Sequence, residues 1–584
     1  MSSPIPVNNV SFTNVICLIG IAFLLIMTGG TYGDPLLDPA KFEHHVKKFN
    51  TMENEPVKNI YPNAKAWEWM LKNIPFFECS QDTLEEIYYY RWWTYRKHII
   101  KEGDYYTMTE FISWQNANSS AYCHQVAEGR WMRDKTFLDQ YTRYWFRNPD
   151  KARRDRFHKY SQWSTDAIYR RYLVNKDTAF IVDLFDDLVS DYKKWESEKK
   201  LPSGLFWQYD VRDAMEESIS GSETEKNVRP TINSYMAANA LALSKIAKIA
   251  GKSSVADQYQ AIYTSIREKM IKAMWDSDAK FFKVQFENGK LSDAREAIGY
   301  IPWKFDLAKE EHADAWLQIL DPKGFMAPKG LTTAERRHPK FRSHGVGNCE
   351  WDGAVWPFAT SQTLDGLANI VRSKGNKPVN NVDYFNALLT YARSHQKNGV
   401  PYIGEYMDEV TGKWLKGDSE RSRWYNHSTF CDLIINGLVG IIPRADNTIE
   451  VHPLAPENSL SWFALDQVPY HGYLLTILWD SDGSRYGRGS GLKVYADNRL
   501  VAQSSTLTRV TGDLSGTVGT RKNTTTKVIK PEYSLPKTHL NLSTSKSNSI
   551  QPSKVFTLNG RVVEGNFHNL PNSIVIKKSV GKRE

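Results

Sequence analysis

The sequence predicts a mainly α-helical protein, an α/α toroid followed by an antiparallel β-domain. Three observations carry that expectation. Apolar residues recur at helical spacing in paired stripes from about Asn63 to Pro443, leaving room for about a dozen helices of ordinary length. Near Pro443 the pattern shifts to short alternating stretches separated by Gly, Asp and Asn. At 584 residues the chain also exceeds what one hydrophobic core usually serves, so at least two domains are expected.

The helical part, taken as 34–443, follows from its stripes. Met236, Ala240, Leu243 and Ala247 fall on one helix face, Gly251 supplies a stop, and Tyr259, Ile262, Ile266 and Met270 begin the returning stripe. Ile181, Leu184, Leu188, Tyr192 and Trp195 make another. The longer loops at the helix ends are rich in Trp, Gly and charge, and these form the lip of a central pocket. Strands are expected at Ile449 to Val451, Leu474 to Trp479 and Leu492 to Tyr495, within a β-domain at 444–503. Residues 504–553 turn to Ser, Thr, Asn and Lys with few apolar groups to bury, so a linker is expected there. Residues 554–584 regain alternation and suit a small β-unit, which resembles the sorting segments that end some exported bacterial proteins.

Composition narrows the partners. The net charge of +9 is spread widely, and Lys and Arg gather mainly near the end, at Lys577, Lys578, Lys582 and Arg583. No basic stripe or binding motif points to nucleic acid. The apolar run Val15 to Met27 is short for a bilayer span but has the length of a signal-peptide core. Residues 1–33 are therefore expected to be an export leader, or else a retained anchor, which is the one membrane partner considered. A secreted or cell-surface location follows. Beyond the leader only Cys79, Cys123, Cys349 and Cys431 remain, without CxxC spacing, so neither a disulfide-built fold nor a thiolate metal site is expected.

The chemistry lies in two acidic stretches, GLFWQYDVRDAMEESISG around Asp213 and VPYIGEYMDEVTG around Glu405, with the aromatic run GNCEWDGAVWPFATSQT between them. Cleaving a glycosidic bond by acid/base chemistry needs two opposed carboxyl groups, one protonated and one ionised, in a cleft that can hold a sugar. Taken alone, Asp210 or Asp213 is equally readable as a helix cap and Glu405 as a turn residue. There is no phosphate-binding Gly loop, no HExxH helix and no G-x-S-x-G elbow, and no cofactor or metal is implied. The Asp480 to Gly483 segment reads as a hairpin turn rather than a calcium loop.

From about Asp34 to Ala502 the order of motifs resembles the six-hairpin glycosidases related to mannosylglycerate hydrolase and glycoside hydrolase family 63. Beside the stretches above, TEF at Thr109 to Phe111, EGRWMRD at Glu128 to Asp134 and VRPTINSYM at Val228 to Met236 carry the likeness. TAERRHP at Thr333 to Pro339 and YNHSTFCDL at Tyr425 to Leu433 complete it. The turn after Glu405 reads Met-Asp-Glu-Val-Thr-Gly and lacks the proline of the family's Asn-Pro-x-Thr-Gly-like turn. The resemblance implies a six-hairpin toroid and an inverting glycosidase. It places the general acid on Asp213, with Asp210 and Glu216 as close rivals, and the base on Glu405, with Glu350 as runner-up.

A raised pKa for Asp213 is expected from packing near Trp207 and Tyr209. Trp351, Trp356 and Phe358 are candidate sugar-facing rings, with Asp352, Glu350 and Gln362 bonding hydroxyls. Trp131, Arg212 and Asn233 are further candidate contacts, and Tyr425 and His427 close the set. Two readings compete with an exo-acting hydrolase: a polysaccharide lyase on the same toroid, and a carbohydrate-binding protein without catalysis.

Overall fold

In the computed structural model the described residues are 35–515, except 58, 376 and 417–421, together with the backbone of Val555–Phe556 and Val562–Val563. The expected leader, most of the linker and the side chains of the terminal β-unit lie outside them. The chain divides into one unit spanning Met1–Val518 and another spanning Gly519–Glu584. In the second unit, Val555–Phe556 pairs antiparallel with Val562–Val563.

The first unit is mainly helical with antiparallel sheet at its C-terminal end. Helix Pro230–Ile249 starts on a proline, whose fixed φ and missing N–H suit the first helical turn. It ends beside Gly251 at φ 71°, a left-handed position that favours glycine, and Ser253–Met274 returns along it. Met236, Leu243, Ala247, Tyr259, Ile266 and Met270 are all buried, as the stripes predict. So are Ile181, Leu184, Leu188, Tyr192 and Trp195, which run through Thr178–Asp183 and Phe185–Lys199. Helix Pro357–Arg372 again opens on proline, and Asn381–Ser394 opens on a capping box between Asn380 and Asp383. Among the described residues no helix is long and apolar enough to cross a membrane.

Five strands form the larger sheet, in the order Phe76–Cys79, Trp462–Tyr470, Tyr473–Asp480, Gly491–Ala496 and Arg499–Ser504, with antiparallel neighbours. Asp480 closes the turn before the fourth strand by accepting from the N–H groups of Gly483, Arg485 and Tyr486. A second sheet joins Ile441–Ile442, Thr448–Val451 and Val510–Asp513.

Both expected borders of the β-domain move. Phe76–Cys79, inside the helical stretch, supplies an edge strand, and its four residues are all buried, so it shows no alternation to read. Val510–Asp513 lies past the expected end at 503, yet its backbone pairs along the whole of Thr448–Val451. The sheet therefore runs into the Ser/Thr-rich stretch, where backbone pairing and the buried Leu507 and Leu514 hold a segment of little apolar content.

Candidate active site

The acid loop runs from Tyr209 to Gly221. Asp213 N donates to Tyr209 O at 3.1 Å and Asp210 O at 2.9 Å, and Met215 N donates to Asp210 O at 3.0 Å, closing a tight turn. Ala214 at φ 58° and Glu217 at φ 65° take left-handed backbone without being glycine, a costly conformation that persists only where surroundings enforce it. What enforces it is Asp213. Arg229 Nε donates to its Oδ2 at 2.6 Å, Thr231 Oγ1 donates to the same atom, and Ser161 Oγ donates to Oδ1 at 2.6 Å. The Asp213 and Arg229 side chains have no solvent exposure.

That arrangement departs from the expected placing of the acid. Asp213 is a strut turned into the core, and each of its oxygens already holds a donor. Asp210 is also buried, which pushes its carboxyl up, and its Oδ1 accepts from Val211 N at 2.8 Å. Glu216, held between the two left-handed residues, is partly exposed, as is Glu217, which Arg342 pairs. Burial pushes it up to about 7, and the charges of Glu110, Glu405 and Asp210 push the same way.

Glu405 stands opposite in sequence and close in charge. Trp424 N donates to Ile403 O at 2.8 Å, and Gly404 lies under Trp414, where a Cβ would come within 2.8 Å of the indole. Glu405 follows that constriction, and its Oε2 accepts from Ser422 Oγ at 3.3 Å. The third carboxylate is Glu110 of the TEF motif. It accepts from Ser120 Oγ at 3.1 Å and from Asn118 Nδ2, and His427 Nε2 lies 2.9 Å from its Oε1, out of line for a good hydrogen bond. Burial pushes Glu110 up, but His427, Asn118 and Ser120 together hold it below the usual glutamate value.

Sequence reasoning passed over Glu110, Tyr160, Cys349 and Tyr406. Burial raises Tyr160, with Glu110 and Glu216 adding to it, and burial pushes Cys349 up to about 12, with Glu216 and Glu405 adding. Burial raises Tyr406 as well, with Cys349, Glu350 and Glu405 adding to it. The available signal was the glutamate in TEF, an acid between two residues that prefer strands, followed closely by the polar run Asn116 to Ser120.

The remaining expected contacts fall into two groups. Glu350 is an anchor, not a base: its fully buried carboxylate accepts from the N–H groups of Gly345 at 3.0 Å, Val346 at 2.7 Å and Gly347 at 2.8 Å. Trp351, Trp356 and Tyr406 stack at 4.5 and 4.6 Å with Trp356 in the middle, so both faces of Trp356 and one face of Trp351 are covered and not free for a sugar. Trp131 Nε1 donates to Asp432, Asn233 bonds the backbone of Phe206 and Arg229, and Gln362 donates to Tyr235. All three are core.

Tyr425, stacked on His427 at 4.5 Å, lies within reach of the charges of Glu110, Glu405 and Glu216, and Asp352 is pushed up to about 6 by burial although Arg342 lies 2.8 Å away. Arg342 also bonds Glu217, which ties the acid loop to the aromatic run. Trp207 is half-buried just before the acid loop, and Arg212, on that loop, is exposed. His344, Asp408 and Glu409 bring ligand atoms within 4.8 Å of one another, but Asp408 Oδ1 is committed to Val410 and Thr411 and Glu409 lies 3.4 Å from Arg336.

Residues 114–428, more than half of the chain, match the sequence model of the mannosylglycerate hydrolase MGH1-like glycoside hydrolase domain. The chain belongs to that glycoside hydrolase family. A solved structure named a sialidase is 47% identical, with a TM-score of 0.79, over 82% of this chain and 45% of that one. The GH78 family rhamnosidase of Bacillus sp. GL1 is 13% identical with a TM-score of 0.52, over 72% of this chain and 41% of that one, a likeness of fold alone. An uncharacterized protein of Borreliella burgdorferi is 21% identical over 216 residues, 36% of this chain and 44% of its own. The chain spans less than half the length of each of these three.

Proposed function

We propose that the protein is an exported, inverting, exo-acting glycoside hydrolase whose helices form an α/α six-hairpin toroid. Glu216 is its general acid and Glu405 its general base. One observation carries the assignment: Glu216 is a partly exposed carboxyl of the acid loop, pushed up to about 7 by burial, while Asp213 behind it is fully buried and locked to Arg229.

In a single displacement Glu216 gives its proton to the departing glycosidic oxygen, while Glu405 takes a proton from the water that attacks the anomeric carbon from the opposite face. The sugar leaves as the hemiacetal of inverted configuration, and the leaving group departs as an alcohol. Such an arrangement has the two carboxyl groups about 6.5–9.5 Å apart, leaving room for the water. Ionised Glu110 has the chemistry to accept from sugar hydroxyls. Inversion and exo action are what the family resemblance implies, and export follows from the apolar run Val15 to Met27.

The test pairs Glu216→Gln with Glu405→Gln on aryl glycosides of graded leaving group and on oligosaccharides. Loss of the acid slows poor leaving groups most, whereas loss of the base slows every substrate. Proton NMR before mutarotation should show the inverted anomer, and product analysis should show single sugars released from chain ends. A retained anomer would recast Glu405 as a nucleophile.

A further inference from the structure

Just upstream of Glu216, two lysines lie against a pair of rings, with Arg212 near enough to act on one of them. Trp207 and Tyr209 meet edge to face, centroids 5.0 Å apart at 67°. Lys199 Nζ lies 3.8 Å from the Trp207 centroid and 5.7 Å from that of Tyr209, and Lys226 Nζ lies 5.4 Å from the Trp207 centroid. Arg212, on the acid loop itself, is exposed. Among the described residues none of the three forms an ion pair with a carboxylate. Lys199 is held below the usual lysine value, first by burial and then by Arg212 and Lys226, while Glu198 and Asp213 oppose.

Like charges brought together without partners repel, and the repulsion grows where water is partly excluded. Some other lysines are paired along their helices, as Lys200 is with Glu196 and Lys151 with Asp155, but among the described residues these three cations have no such partner. Trp207 explains how Lys199 is held: its ring face lies against the ammonium and fixes it, so the ring is a seat for the cation and not a platform for a sugar. A pre-placed set of cations with no carboxylate in ion-pair contact is complementary to an anion from outside.

We propose that Lys199, Lys226 and Arg212 form a subsite for an acidic sugar, a uronate whose carboxylate lies among the three cations, on the leaving-group side of the cleft. The side follows from the chain: Arg212 shares the loop of the proposed acid, and the acid faces the oxygen of the departing group. That part rests on Glu216 being the acid. The substrate class is then an oligosaccharide in which the sugar next to the cut bond, or the one beyond it, carries a carboxylate.

The experiment is equilibrium binding by calorimetry, using the full chain, tetragalacturonic acid and its methyl ester, which has the same backbone without the charge. The acid should bind at least tenfold more tightly than the ester at low salt, and the preference should shrink as sodium chloride is raised. Lys199→Gln with Lys226→Gln should abolish the preference, Lys199→Arg with Lys226→Arg should keep it, and Lys47→Gln with Lys72→Gln, far along the chain, should leave it unchanged. Equal binding of acid and ester, or a preference that survives the double glutamine variant, overturns the subsite. Because binding is read apart from turnover, a chain that prefers the acid but hydrolyses no glycoside keeps the subsite and sinks the glycosidase reading. Hydrolysis without acid preference does the reverse.

Discussion

Arg229 Nε lies 2.6 Å from Asp213 Oδ2, and neither side chain reaches solvent. A buried pair of this kind contributes little net stability, but removing one charge leaves the other stranded, at a cost of about 3–5 kcal/mol. Asp213→Asn should therefore lower stability on that scale in denaturant titration, and activity should fall in step with the folded fraction. Glu216→Gln should stay folded and lose turnover by about two to four orders of magnitude on poor leaving groups. If instead Asp213→Asn keeps wild-type stability and loses hydrolysis, the acid role returns to Asp213.

The raised carboxyl of Glu216 sets a pH limit. The proton donor is present below about pH 7, so kcat/KM should decline as pH rises through that value. Glu110 is a like charge that pushes Glu216 up, so Glu110→Gln should move the declining limb to lower pH. Stability carries the same sign. The folded pKa lies above the ordinary 4.5, so the stability gained from protonation is full below that value and lost as pH rises through about 7. Wild type should weaken relative to Glu216→Gln over that window in thermal melts, and a flat difference between the two would remove the shift.

The helical hairpins were legible because apolar spacing repeats over many turns, so Met236 to Met270 could be placed by pattern alone. The two acidic stretches were legible as well. What distinguishes Asp213 from Glu216 was not, since the two acids lie three residues apart and their difference is made by Arg229 and Thr231, which reach Asp213 from the following helix. Trp351 and Trp356 misled for a related reason. Rings close together in sequence suggest a sugar platform, but Tyr406 comes from the Glu405 loop and completes a stack that covers both faces of Trp356 and one face of Trp351. Glu110 was missed because its partners, Asn118, Ser120 and His427, give it a role through contact and not through spacing.

Glu350 makes a separate prediction. Its carboxylate gathers three consecutive backbone N–H groups, which no neutral amide can do equally well, because one end of an amide donates. Glu350→Gln should cost about 1–3 kcal/mol, as a buried group loses its partner. The amides of Gly345, Val346 and Gly347 should exchange faster by hydrogen–deuterium exchange than in wild type. Unchanged exchange at those three would show that other contacts hold the loop.

The end of the sheet can be tested by truncation. Val510–Asp513 covers Thr448–Val451, and Arg509 Nε lies 2.7 Å from the buried Glu450, whose other oxygen pairs with Arg444 at 2.8 Å. A chain ending at Gln503 lacks that strand, exposes an unpaired edge, leaves Glu450 with one cation in place of two and loses the apolar cover that the buried Leu507 and Leu514 supply. A chain ending at Ser515 keeps all of these contacts. The longer product should melt like the full chain and keep its hydrolysis, whereas the shorter one should lose several kcal/mol, a large part of an ordinary folding free energy, and tend to aggregate through the bare edge. Equal melting of the two would put the border back at 503, and it would mean that Val510–Asp513 rests on a sheet that does not need it.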